Sequence, residues 1–150
     1  MPFEADFETV AGTALYVAAA MPADNTAVAF AALTWIEVGE ITNVPSVLGR
    51  EYSESTISTV KNAHDRKKKG SYSLPNADWE CAWVEDDAGQ VLVREAANNN
   101  DILPFKVVKQ GASIRYLSAQ VSKFVENNGT SNDAVKGSFT MLRQSDTIIA

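Results

Sequence analysis

His64, Cys81 and the pair Asp86–Asp87 are the residues of this chain best suited to do chemistry, and their spacing decides which chemistry is open to them. A histidine works as a general base when a nucleophile lies within hydrogen-bond reach and a third group orients the ring. His64 is the only histidine, and it sits in the polar run Lys61–Gly70 with no patterned nucleophile or orienting carboxylate beside it. Cys81 is the only thiol, so neither an intramolecular disulfide nor a paired Cys/His metal pattern can be built. A phosphate-cradling glycine loop is also missing from the sequence. Asp86 and Asp87 invite reading as two metal ligands, but they stand just before an amphipathic stretch, where a carboxylate caps a helix and offsets its dipole. Trp35, Trp79 and Trp83 could stack nucleobases, yet at strand spacing they read as core. The expectation is no catalytic residue, no cofactor, no metal site and no enzyme activity.

The elements that hold these residues read mostly as strands. Trp79, Cys81 and Trp83 alternate with Glu80, Ala82 and Val84, the period of a half-buried strand, which makes Cys81 a small core residue. Leu103, Phe105 and Val107 repeat the pattern, as do Val135, Phe139 and Met141 opposite Lys136, Ser138 and Thr140. Ile114–Val125 is partly apolar on both faces, with Ile114, Tyr116 and Phe124 on one and Leu117, Ala119, Val121 and Val125 on the other. A strand covered on both sides has this pattern. One helix is predicted after the Asp86–Asp87 cap, with Ala88, Val91, Leu92 and Ala96 as its apolar stripe. Asn98–Asn100 would end it through asparagine's tolerance of left-handed geometry. Asn128–Gly129 signals a hairpin turn; it also fits a glycosylation sequon with Thr130, a reading that the absence of a secretory signal disfavours.

Composition sets the frame. With 45% hydrophobic and 21% charged residues, 150 residues suit one globular domain. The longest apolar run, about Ala14–Met21, is shorter than the roughly 18 residues of a membrane span, so no membrane association is expected. The expected fold is mainly β, a sandwich or incomplete barrel with one packed α-helix, over a single domain 1–150 that carries a long polar loop at about 44–71. Loops longer than about 12–15 residues are usually functional or disordered.

Charge is distributed unevenly. Residues 1–60 hold eight acidic residues against one basic, Arg50, while residues 61–150 hold eleven against twelve. Five of those twelve cations, Lys61, Arg66, Lys67, Lys68 and Lys69, fall within the polar run. A solvated basic loop accounts for this, and so does complementarity between copies, with the acidic surface of one subunit meeting the basic loop of the next. An overall charge of −6 argues against a dedicated nucleic-acid binder.

Leu33–Thr42 reads Leu-Thr-Trp-Ile-Glu-Val-Gly-Glu-Ile-Thr, two short strand-like pieces meeting at Val38-Gly39-Glu40, where glycine permits a bulge or bend. This stretch resembles the major tail tube proteins of long, flexible, non-contractile bacteriophage tails, in which an Ala-Leu-Thr-Trp-x-Glu-Val-Gly-Glu-Val-Thr-like segment leads into a long polar loop. Lys61–Gly70 is similar to that loop, Asp86-Asp87-Ala88-Gly89-Gln90 to the start of the family's helix, and Pro104-Phe105-Lys106-Val107 to the strand that follows. The resemblance runs from about Gly12 to Arg143.

The resemblance implies a structural protein of the virion tail, assembled in the host cytoplasm. Subunits would close six to a ring, each giving about four strands to an inner barrel of about 24, and barrels of 16 to 18 strands already leave an open channel. Rings would stack into a tube that conducts double-stranded DNA without sequence preference, with tape measure and tail terminator proteins as further partners. The basic set Lys61, Arg66, Lys67, Lys68 and Lys69 is then expected to contact the next ring, and Glu51, Glu54, Ser118, Gln120 and Ser122 to include lumen-facing positions. A polar or acidic wall repels phosphates and keeps the duplex moving. Two other readings remain: an inner-tube or connector subunit of a contractile tail or type VI secretion system, and a monomeric β-sandwich binding module.

Overall fold

The computed structural model of the chain describes residues 7–150, so Glu4 and Asp6, counted in the acidic half, lie outside the described residues. The elements run β1 (Ala14–Val17), α1 (Ala27–Ala31), β2 (Ile36–Val38), β3 (Ile41–Asn43), β4 (Glu51–Ile57), β5 (Arg66–Ser73), β6 (Ala77–Ala82), α2 (Ala88–Ala97), β7 (Ile102–Val108), β8 (Ile114–Asn127), β9 (Lys136–Arg143) and β10 (Ile148–Ile149). The fold is mainly β. Eight strands form one sheet in the order β2-β1-β7-β8-β9-β6-β3, with β10 on β8, while β4 and β5 pair as a separate hairpin.

That order explains the Val38-Gly39-Glu40 bend. β2 and β3 sit at opposite ends of the strand path, yet only Gly39 and Glu40 separate them in sequence. Three residues of extended chain reach at most about 10–11 Å, so the two edges must lie close together. The sheet therefore curls into an incomplete barrel. The sharp step falls on Glu40, whose φ of 60° is left-handed, and not on Gly39. Gly39 instead leaves room for the helix cap, since a Cβ there would stand 2.8 Å from Asp87 Oδ1.

α2 ties the β2 edge and the Gly39 bend to the end of β6, the strand next to β3. Asp87 is its N-cap, accepting from Gln90 N–H and from Gly39 N–H at 3.0 Å each. Gln90, fully buried, donates from Nε2 to the carbonyls of Gly39 (3.0 Å) and Ala82 (2.9 Å) and accepts from Val84 N–H (3.0 Å). All three of its hydrogen bonds go to backbone groups, so the buried amide is itself paired. Gly89 lets α2 approach, because a Cβ there would stand 2.2 Å from the Glu37 carbonyl oxygen.

The buried face of α2 is thus Gly89, Gln90, Val93 and Ala96, rotated from the expected stripe: Ala88 is exposed, and Val91 and Leu92 are only partly buried. The apolar pattern misleads because the residue most firmly buried is an amide. The helix also ends differently from expectation. Asn98 has φ −97° and is not left-handed, while Asn99 closes the end by donating from Nδ2 to the Glu95 carbonyl at 3.0 Å.

The core gathers Leu15, Val17, Trp79, Phe105, Leu117, Phe139 and Met141 between the curled sheet and α2. Cys81 is fully buried within it, and burial pushes its thiol up to about 11. The alternation read in β7 holds, with Leu103, Phe105 and Val107 all buried, whereas Val135 is 40% exposed.

β8 departs from strict alternation because its pairing with β9 shifts between Val121 and Lys123. Ser122 is the extra residue, and the shift carries Phe124 onto the core side, where it stacks on Phe139 at 5.2 Å. Phe124 and Val125 therefore exchange the faces expected for them. The other face of β8 is covered within the same chain: Phe30 of α1 lies 5.3 Å from Tyr116, and Trp35 lies 6.0 Å from it. α1 itself is not foreshadowed in the sequence, since five residues capped by Thr26 are too few to show a helical period. The β8–β9 hairpin is present, but Asn128–Gly129 opens an eight-residue connection at 128–135 instead of a tight turn. Gly129 has no positive φ, and Asp133 accepts from Thr130 N–H at 2.8 Å to close the loop.

Candidate assembly surface

The segment expected as a long loop is a hairpin. From Glu51 to Ile57 and from Arg66 to Ser73 the chain alternates short polar, aromatic and charged side chains, a pattern that suits a ribbon solvated on both sides. Every residue of both strands is exposed. The register sets Tyr52 opposite Tyr72, Glu54 opposite Lys69, Ser55 opposite Lys68, Thr56 opposite Lys67 and Ile57 opposite Arg66, with a shift between Tyr52 and Glu54. Gly70 accommodates that irregularity, as a Cβ there would meet Ser53 Oγ at 2.6 Å. The connecting turn holds Lys61 and His64, and it is closed by a hydrogen bond from Ser58 Oγ to Asp65 and by Asn62 N–H on the Thr59 carbonyl at 3.2 Å.

At its root the hairpin is fastened to the segment after β9. Arg50 donates from Nε to Asp146 Oδ1 at 2.9 Å and from a terminal nitrogen to Oδ2, a forked pair that strengthens both bonds. The guanidinium also covers the Tyr72 ring at 4.2 Å from its centroid. These bonds hold the Asp146 carboxyl below the usual carboxylate range and raise the Arg50 pKa. Arg143, largely buried, donates to the carbonyl of Gly49 at 3.0 Å and to Thr147 Oγ1 at 3.0 Å, and Thr147 in turn donates to the Val47 carbonyl. Burial lowers the Arg143 pKa. Gly49 bends the chain into the hairpin with φ 113°, a value that only glycine adopts without strain.

The residues expected at the lumen and at the ring contact do not form two separate sets. Glu51 and Glu54 lie on β4, beside the cations of β5, and Lys67 Nζ stands 3.5 Å from Glu54 Oε1. Ser118, Gln120 and Ser122 lie elsewhere, on β8 of the main sheet. Ser118 is buried and shares a 2.9 Å hydrogen bond with Ser145, Gln120 donates to the Asn100 carbonyl at 2.9 Å, and Ser122 occupies the bulge. A polar stretch that sequence reading passes over lies on the same sheet. Asp78 and Glu80 of β6 stand opposite Thr140 and Ser138, with Lys123 beside Thr140. Thr140 Oγ1 donates to Asp78 at 2.7 Å, and Lys136 lies 3.5 Å from Glu80. Its signal is present in the alternation of β6 and β9, where Glu80, Lys136, Ser138 and Thr140 mark the polar face but nothing local shows that the two strands are neighbours.

No grouping of catalytic type emerges among the described residues. His64 is exposed in the hairpin turn, and no three of the described His, Cys, Asp and Glu residues converge as metal ligands. Among the described residues no helix is long and apolar enough to cross a membrane.

The sequence matches no protein-family model and no curated protein. The fold has counterparts among solved structures. A chain of the anti-feeding prophage baseplate, solved by cryo-EM with six-fold symmetrisation, aligns with a TM-score of 0.64 at 8% identity, covering 100% of this chain and 97% of that one. The chain has a tail-tube-like fold. A chain of the sheath/tube terminator of the PVC extracellular contractile injection system aligns at 0.65 with 11% identity and 99% coverage of both chains. The tube-terminating cap of the anti-feeding prophage gives 0.64 at 11% identity, covering 100% of this chain and 94% of that one. At such identities the likeness speaks for the tail-tube-like fold and not for the tube family of long flexible tails in particular.

Proposed function

We propose that the chain is a structural subunit that assembles with itself into stacked rings, forming the tube of a phage-tail-like particle. The observation that carries this reading is the β4–β5 hairpin, fifteen strand residues exposed without a core of their own. An isolated two-stranded ribbon is marginal in water, so an arm of this length calls for a partner surface. The tail-tube-like fold over the full chain supports the same reading.

In its finer form the reading follows the sequence resemblance. Six subunits close each ring, the particle is a long non-contractile virion tail, and the tube guides DNA without sequence preference, with tape measure and terminator proteins as further partners. The polar stretch of Asp78, Glu80 and Ser138 joins Gln120 and Ser122 as the surface best suited to a solvated channel wall. A second reading, an inner tube or connector of a contractile system, is favoured by the likeness to chains from contractile injection systems.

Negative-stain microscopy of the purified protein tests the shared core of both readings. Rings or tubes that lengthen with protein concentration are the expected result. A species that stays monomeric at high concentration overturns self-assembly and leaves a β binding module in its place.

A further inference from the structure

Strand alternation divides the run Arg66–Lys69 between two faces of the hairpin, and the faces differ. On one, Lys67 lies 3.5 Å from Glu54, Lys69 Nζ stands 4.6 Å from the Tyr52 ring centroid, and Arg50 covers Tyr72. Positive charge on this face already has a carboxylate or an aromatic ring against it. On the other, Ser55 stands opposite Lys68 and Ile57 opposite Arg66. Among the described residues neither Arg66 nor Lys68 forms an ion pair, and Ile57 is 57% exposed, across from Arg66 and diagonal to Lys68. Val60, at the turn, is fully exposed.

An apolar centre flanked by unmet cations is the chemistry of a protein contact, with a dehydrated patch inside a charged rim. A phosphate track needs the cations but not the isoleucine. The partner's charge can be read from the rest of the chain. Residues 50–73 hold six basic and three acidic residues, leaving seven basic against sixteen acidic elsewhere. The body of a second copy is thus strongly negative where this arm is positive, and oppositely charged surfaces steer encounter and fix register.

We propose that the hairpin docks through its Ile57–Arg66–Lys68 face alone, on a carboxylate-bearing surface of a second copy of this chain. The inference rests on the self-assembly reading and narrows it, since Lys67 and Lys69 serve the arm's own structure and not the contact.

The test compares two double variants of the full chain by sedimentation, with circular dichroism as the folding control. Arg66→Glu with Lys68→Glu is expected to raise the concentration needed for assembly by about tenfold or more, since each lost pair removes up to about a factor of five. Lys67→Gln with Lys69→Gln, which removes both charges without setting a carboxylate against Glu54, is expected to stay within about threefold of wild type, the size of a weak surface-charge effect. A photocrosslinking residue at position 57 is expected to join two copies, and the same residue at position 56 is not. Should the first pair of reversals unfold the chain, Arg66→Gln with Lys68→Gln and the position-57 crosslink decide the matter. Assembly that tolerates the first pair, or fails equally with the second, overturns this inference while leaving the tube reading in place. A crosslink at 57 to nucleic acid only also overturns it. A wild type that never self-associates overturns both.

Discussion

At the scale of single residues, the positions that matter most are those that let α2 touch the backbone of the β2 edge. Gly89 is the sharpest case, because a methyl group there would overlap the Glu37 carbonyl and Val38 Cα, both main-chain atoms that cannot rotate away. Gly89→Ala is expected to destabilise the fold by about 1–3 kcal/mol, the usual cost of overpacking. For a chain of this length that lowers Tm by roughly 2–12 °C. Calorimetry checks it; an unchanged Tm would mean that α2 moves off the edges without loss. Gln90 works from the same position by a different means, satisfying three backbone groups with one amide. An apolar periodicity has no place for such a residue, which is why the expected helix stripe is rotated from the observed one.

At the scale of elements, the hairpin and its fastening form a unit. β4 and β5 pair with each other and not with the main sheet, so their pose depends on the Arg50–Asp146 fork and on the Arg143 and Thr147 bonds to Gly49 and Val47. Asp146→Asn is expected to loosen the arm while leaving the core intact. Hydrogen exchange should quicken at Arg50–Ser53, whereas amides of β7 and β8 keep wild-type protection. The Asp146 carboxyl is held below its ordinary range by Arg50, so the fastening is fully present above the unfolded pKa of about 3.9. It is lost as pH falls through the lower folded value, and never as pH rises from neutrality. An arm already as mobile in wild type as in the variant would remove the fork from this role.

At the scale of the whole molecule, a negative body carries a positive arm, and an incomplete barrel of strands carries a ribbon with two open edges. Repetition around a ring multiplies contacts that are weak one at a time. Assembly is therefore expected to fall as salt rises from about 0.15 M to 1 M, as the screening length shrinks from about 8 to 3 Å. Turbidity or sedimentation across a salt series reads this directly. Assembly that grows stronger with salt would point to an apolar contact in which Arg66 and Lys68 take no part.

Local chemistry was legible in the residues alone: strands through Trp79–Ala82 and Leu103–Val107, a buried thiol at Cys81 and a carboxylate cap at Asp87, although β6 stops before the Trp83 that the alternation included. Each rests on residues a few positions apart, where side-chain period and capping act directly. Even the link between the Glu37–Glu40 stretch and Asp86–Gln90 was only half legible. Both motifs could be seen, but not that Asp87 and Gln90 bind Gly39. Tertiary structure decided that β2 and β3 are opposite edges brought together, that Ser122 reverses the faces of β8, and that Phe30 and Trp35 cover Tyr116. It also turned the expected 44–71 loop into a ribbon whose alternation splits the cations between two faces. A polar strand exposed on both sides lacks the apolar period that reveals other strands. Only cross-strand pairing, fixed by partners some ten to twenty residues away, distinguishes it from a loop.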